Sequence, residues 1–216
     1  MSVISHVDSV PVSVPKPRRL LELFSGTKSI SKAVGHHYDE VISIDILKKF
    51  KPTICTNIMD WDYRSLPPSH FDTIWSSPPC TEYSKAKTRG ERKIEEANKV
   101  VFRTLEIIRY FNPAKWFLEN PHTGKLKEQR ALMADLPFVV MDYCRFGYTY
   151  RKRTCFWTNQ KCESRLCLGP GKCQGMVGNK HRNSCGNGTP DYTERAIPLQ
   201  TKYSIPGDLV LLLFGF

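Results

Sequence analysis

The sequence has no apolar run long enough to cross a bilayer. The closing stretch Leu209-Val210-Leu211-Leu212-Leu213-Phe214 falls far short of the roughly 20 residues a spanning helix needs and reads as a core element. No secretory leader is visible: residues 1–20 carry Asp8 and several prolines without a continuous apolar stretch. An intracellular chain is therefore expected, with no membrane partner. In a reducing compartment its eight cysteines read as thiols, metal ligands or a nucleophile rather than a disulfide frame. The chain also lacks a CxxC pair, the lysine spacing of a P-loop and any internal repeat. Acidic residues are scarce. The 21 Asp and Glu stand against 32 Lys and Arg, a net charge of +11. That excess favours a polyanionic partner, of which nucleic acid is the commonest.

What is present is an alternation of strand and helix signals in 216 residues, enough for one good-sized core and a small appendage. Residues 1–18 read as a loose basic arm. Strands are expected over Leu20–Phe24, Val41–Ile46, Thr53–Ile58, Phe71–Trp75 and Lys115–Leu118. A short helix starts at Ser29. A longer one is expected over Glu91–Phe111, where Ile94, Ala97, Val101, Leu105, Ile108 and Phe111 recur at helical spacing. Such alternation predicts an α/β fold, a mostly parallel sheet with helices on both faces. Residues 19–158 and 201–216 form this domain. Residues 159–200 read as a small irregular Cys-rich insert.

In such sheets ligands gather at the carboxyl ends of strands. Three sets of polar residues fall there. After the first strand, Phe24-Ser25-Gly26-Thr27 makes a tight turn into a helix N-terminus, and Asp45 and Ile46 end the second strand. Gly26 lets backbone approach a ligand, and Asp45 suits ribose hydroxyls. Without a P-loop lysine, a nucleoside without phosphates such as S-adenosylmethionine suits the loop best. Cys80 follows Pro78-Pro79, which fix the backbone before a candidate thiolate nucleophile. Glu119 is delivered by the buried run Trp116-Phe117-Leu118. A thiolate beside an acid suits attack at carbon 6 of a pyrimidine: protonation at ring nitrogen 3 makes that carbon receptive, and carbon 5 then becomes nucleophilic.

These motifs together resemble the cytosine-5 DNA methyltransferases, in particular the compact phage and viral kind. Leu23-Phe24-Ser25-Gly26 is similar to the family's cofactor loop, and Pro78-Pro79-Cys80 to its nucleophile motif. Glu119-Asn120-Pro121 is similar to its Glu-Asn-Val motif, with proline replacing valine. Gly147 to Thr154 is similar to its arginine motif, and Tyr203-Ser204-Ile205-Pro206 to its last motif. The resemblance implies a Rossmann-like S-adenosylmethionine-dependent fold and methyl transfer to carbon 5 of a flipped cytosine in double-stranded DNA by a monomer. Cys80 is then the nucleophile, Glu119 the acid, and Arg151 or Arg153 the base contact. Phe24, Ser25, Gly26, Thr27, Asp45, Ile46, Asp60, Pro78 and Ser204 are expected around the methyl donor. Ser84, Lys85, Lys87 and Arg89 lie on a loop expected to close over DNA, with Lys172 and Arg182 adding charge from the insert. The motif's glutamine is missing, and the target recognition region is reduced to residues 159–200. The same chemistry on transfer RNA, and a non-catalytic nucleic-acid-binding module of the same fold, are the alternatives.

Within the insert, Cys162, Cys167, Cys173 and His181 form a soft ligand set suited to tetrahedral zinc, with Cys185 in reserve. A segment with so little apolar content needs a staple to be ordered.

Overall fold

The computed structural model describes residues 16–184 and 197–216. Most of the N-terminal arm and Cys185 lie outside the described residues.

The chain begins with strand β1 (Arg19–Leu23), helix α1 (Ser29–Val34) and β2 (Glu40–Asp45). Next come β3 (Ile54–Cys55), β4 (Thr73–Ser76) and the long α2 (Ile94–Phe111). They are followed by β5 (Lys115–Pro121), α3 (Arg130–Met133), β6 (Phe138–Asp142) and β7 (Arg153–Thr158). Among the described residues up to 184, the insert holds the two-residue strands β8 (Met176–Val177) and β9 (Lys180–His181). Helices α4 (Leu199–Tyr203) and α5 (Gly207–Phe214) end the chain.

The seven-stranded sheet runs β3-β2-β1-β4-β5-β7-β6. Strands β3 to β5 pair in parallel, while β7 is antiparallel to both β5 and β6. The chain reverses direction of build-out between β1 and β4, and the crevice at that switch point is where such sheets bind ligands. The α/β architecture expected from the sequence is thus present, with helices on both faces.

Side-chain alternation divides the core. Leu21, Leu23, Ile74, Leu118 and Trp157 face α2, whose Val101, Leu105, Ile108 and Phe111 pack on them. Leu20, Trp75, Phe117, Phe156 and Met141 face the other way, toward α1 and α5. There Phe214 stacks on Phe117, with ring centroids 5.0 Å apart and planes 14° apart.

Three boundaries differ from expectation for local reasons. The third strand covers only Ile54–Cys55, because Asp60 N–H bonds back to the Asn57 carbonyl and closes a turn. Helix α2 starts at Ile94 rather than Glu91, because the Lys93 N–H is held by the Glu82 carboxylate at 2.8 Å. The fifth strand runs on through Glu119-Asn120-Pro121, paired with β7. The insert is not detached from the sheet. Arg165 exchanges backbone hydrogen bonds with Val140 and Asp142, adding a stub along the outer edge of β6.

Candidate active site

A cleft of about 590 Å3 opens at the carboxyl ends of β1, β2, β4 and β5. This volume is ordinary for a small-molecule site. Its floor is the turn after β1. Phe24 and Gly26 both take positive φ, 57° and 44°, a conformation that costs glycine little and phenylalanine more. The strained turn is held by Asp45, whose two oxygens accept the Gly26 and Leu47 N–H groups, each at 2.8 Å. Each oxygen keeps a second lone pair, so a ribose hydroxyl could still bind. Helix α1 has no side-chain cap of its own. Glu22, buried on β1, instead accepts the Ile30 and Ser31 N–H groups, and burial raises its carboxyl pKa against the pull of those bonds.

Of the residues expected around a methyl donor, Phe24, Ser25, Gly26, Thr27, Asp45, Ile46 and Pro78 line the cleft. Asp60 and Ser204 do not. Asp60 is turned out by the Asn57 turn, and Asn57 itself lines the cleft. The Ser204 hydroxyl points away, to the Tyr148 hydroxyl at 2.8 Å, while its neighbours Tyr203 and Ile205 form the cleft wall. The chemistry of the walls fits S-adenosylmethionine. Ile46, Leu199 and Tyr203 leave 62%, 63% and 62% of their surface bare at the mouth, where a flat purine would cover them. The Ser25 hydroxyl is buried without a hydrogen bond.

Cys80 and Glu119 share this cleft. Strands β4 and β5 pair in register with Ser76 opposite Leu118, so the two motifs leave the sheet side by side. The Asn120 amide donates to the Pro78 carbonyl at 3.1 Å, tying one motif to the other. Cys80 is half-buried, and the Tyr83 and Ser84 N–H groups bond its carbonyl, closing a turn just beyond the thiol. Glu119 is 7% exposed, and its Oε1 has no hydrogen bond. Among the described residues, Lys152 places its Nζ 3.6 Å from that oxygen.

The arginine motif departs from expectation. Pro121 pairs with Thr154, so by alternation Lys152 lies on the Glu119 face and Arg151 and Arg153 on the opposite one. Arg153 is engaged there in a two-pronged ion pair with Asp142, at 2.9 and 2.7 Å. Asp142 is fully buried. Burial raises its pKa, but Arg153 and the Cys167 N–H outweigh this and hold the carboxyl below the usual carboxylate range. Arg151 is exposed and outside the cleft lining. Of the three basic residues 151–153, Lys152 is the one that lines the cleft.

On the loop after Cys80, Lys85 and Arg89 are exposed and Ser84 is half-buried. Lys87 is not available as expected: its ammonium is paired with Glu82 at 2.6 Å and with the Glu91 carbonyl. Arg92 donates to the carbonyls of Glu82, Ser84 and Lys87, so the loop is folded on itself. On the insert Lys172 is exposed and Arg182 half-buried.

The structure groups the candidate metal ligands differently from the sequence expectation. The ligand atoms of Cys144, Cys167, Cys173 and His181 all lie within 4.8 Å of one another. Cys162 is not in this group; it packs beside the α5 side of the core, with its thiol toward the Glu163 carbonyl. Cys144 was missed because it belongs to the main domain, in the 3-10 turn Tyr143–Phe146 after β6. Only tertiary folding brings it to the insert.

The family model of the C-5 cytosine-specific DNA methylases matches residues 19–150, a span that includes the cofactor loop, Cys80 and Glu119. A Frog virus 3 (isolate Goorha) protein named "Probable DNA (cytosine-5)-methyltransferase" is 33% identical over 177 residues, 74% of this chain and 80% of the relative. Among solved structures, an E. coli prophage methyltransferase aligns with TM-score 0.49 and 14% identity over 65% of this chain and 46% of that one. The S. pombe Dnmt2 methyltransferase aligns with TM-score 0.49 and 16% identity over 73% of this chain and 58% of that one. The chain thus spans about half the length of these two solved proteins. With the family model covering more than half its length, and a viral relative matched along most of it, the chain belongs to the C-5 cytosine-specific DNA methylase family.

Proposed function

We propose that this protein methylates carbon 5 of a cytosine extruded from duplex DNA, with Cys80 as nucleophile. The observation that carries the reading is the single cleft in which Cys80, Glu119 and the strained loop after β1 meet. Extrusion costs a few kcal/mol of unstacking, offset by contacts in the cleft and by phosphate binding. The Cys80 thiolate forms a bond to carbon 6. The displaced electron pair is stabilised because Glu119 hydrogen-bonds and protonates nitrogen 3, and carbon 5 becomes nucleophilic. Bound in the cleft, S-adenosylmethionine would supply the sulfonium methyl group that carbon 5 receives, with the S–CH3 bond breaking and the neutral thioether S-adenosylhomocysteine as the leaving group. A base then removes the carbon 5 proton, and the returning electron pair expels the Cys80 thiolate. Lys152 holds Glu119 in place and presents a cation to the base oxygen, the role for which an arginine was expected. Asn57, at the far wall, offers an amide donor and acceptor to the purine edge.

The exposed Lys85, Arg89, Arg151 and Lys172 bind phosphates, and residues 159–200 form the target recognition region, with the Cys/His cluster, to which it contributes three of the four residues, a structural zinc site. Both reacting side chains come from one chain, so the site is complete in a monomer. Among the described residues no helix is long and apolar enough to cross a membrane. An intracellular setting suits a reactive thiol.

Trapping on duplex DNA containing 5-fluorocytosine tests the reading, because fluorine at carbon 5 blocks proton removal. The wild-type chain should leave a stable adduct that Cys80→Ser cannot form. No adduct with wild type, or methyl incorporation into transfer RNA but not into duplex DNA, would reject it.

A further inference from the structure

The cluster of three thiols and an imidazole is shared between two parts of the chain. Cys167, Cys173 and His181 come from the insert, and Cys144 from the turn that leads out of β6 toward Lys152. We infer that a zinc ion bound by these four residues clamps the insert to the segment 143–153 and so fixes the position of Lys152 against Glu119. This inference rests on the structural-zinc reading above and adds the ligand from the main domain and the purpose of the ion.

The donor geometry carries the assignment. A tetrahedral zinc with sulfur at about 2.3 Å and nitrogen at about 2.0–2.1 Å places S and N about 3.6 Å apart. His181 Nε2 lies 3.6 Å from Cys167 Sγ and 3.7 Å from Cys173 Sγ. Cys144 completes the set within the same 4.8 Å envelope. Three thiolates with one imidazole select zinc over the hard cations, which prefer oxygen. A disulfide would join two of the sulfurs and leave the third thiol and the imidazole without a role. The surroundings resemble an outer shell that orients ligands. The Gly169 N–H points at Cys167 Sγ at 3.4 Å, and the Cys167 N–H is held by Asp142 at 2.8 Å.

The clamp reaches the active site through short links. A Cβ at Gly175 would lie 2.7 Å from the Tyr148 carbonyl oxygen and 3.4 Å from the Cys144 Cβ, so the insert turn sits directly on this segment. The Asn183 N–H bonds the Thr149 carbonyl. Asp142, which holds Cys167, also holds Arg153, the immediate neighbour of Lys152. Removing the ion frees all three insert ligands at once and loosens the strand start that delivers the cation to Glu119.

Zinc is measured by elemental analysis on the full chain purified under reductant, for wild type, Cys144→Ser and Cys162→Ser. Wild type and Cys162→Ser should carry one zinc per chain, and Cys144→Ser far less. Wild type with well under one zinc would reject the zinc reading as a whole. Zinc kept in Cys144→Ser but lost in Cys162→Ser would reject this ligand set alone. Should Cys144→Ser fail to fold, mass-spectrometric alkylation of wild type decides. Chelation should raise labelling of Cys144, Cys167 and Cys173 and leave Cys162 unchanged; labelling that rises at Cys162 and not at Cys144 would overturn the assignment. Amide exchange in residues 143–153 should quicken on chelation, and unaltered exchange there would overturn the clamp. None of these readouts depends on methyl transfer, so they stand apart from the trapping test of the catalytic reading.

Discussion

Asn120 joins two motifs that lie far apart in sequence. Its amide donates to the Pro78 carbonyl from a fully buried position. Replacing it with alanine leaves that carbonyl unpaired, at a cost of about 1–3 kcal/mol. The expected signature of Asn120→Ala is a lower melting temperature together with a lower kcat, because Cys80, the proposed nucleophile, loses the turn that fixes its position. Affinity for S-adenosylmethionine should stay close to wild type, and calorimetric titration checks this. Lys152→Gln removes the cation beside Glu119 and should reduce kcat about 10²–10³-fold, the usual cost of losing one charge-stabilising donor. Arg153→Gln should act differently. It strips the partner from the buried Asp142, so melting curves should move before the chemical step does. The positions of Cys80, Glu119 and Gly26 at the cleft were legible in the sequence because each is tied to a local signal: a Pro-Pro turn, a buried run before a polar stop, a Ser-Gly that ends an apolar run. Lys152 and Cys144 were not. The first depends on which strand face a register selects, and the second on an approach between segments distant in sequence.

At the scale of elements, strands and helices followed their periodicity where both sides of an element pack. Helix α2 ends as its Asn112-Pro113 signal predicts, with Asn112 at φ 44°. The short third strand was overestimated, since Asn57 turns the chain after only two paired residues. Helix α5 is the closing apolar run, and its Phe214 stacks on Phe117 and Trp75. Phe214→Ala should destabilise the fold by about 3–5 kcal/mol, read from urea denaturation. The loop between Cys80 and α2 has its own pH dependence. The Lys87 hydrogen bond, then the Lys93 N–H, hold the Glu82 carboxyl below its usual range. A carboxylate with a lowered native pKa binds fewer protons in the folded loop than in the open one. Its contribution is therefore complete above the ordinary value of 4.5 and disappears as pH falls through the lowered one. Proteolysis within residues 84–93 should accelerate across that interval, and Glu82→Gln should abolish the change.

For the whole molecule, the net charge of +11 made a polyanionic partner legible before any fold was known. Charge did not reveal which cations are available. Lys85 and Arg89 stand in solvent, while Lys87 is engaged by Glu82. Duplex affinity should fall steeply with salt, and each phosphate contact removed should flatten the logarithmic slope by about 0.9. Lys85→Ala and Arg89→Ala should each show this, and Lys87→Ala should show less. A fluorescence-anisotropy series in salt would separate them.

Within the described residues the insert is pinned at two points: Arg165 is stitched to the border of β6, and Asn183 to Thr149. The stretch between these anchors threads no strand of the large sheet. A chimera that keeps Cys167, Cys173, Gly175 and His181 and replaces the other residues between the two anchor points should melt as wild type does and, on the proposed assignment of this segment to target recognition, should read a different stretch of DNA.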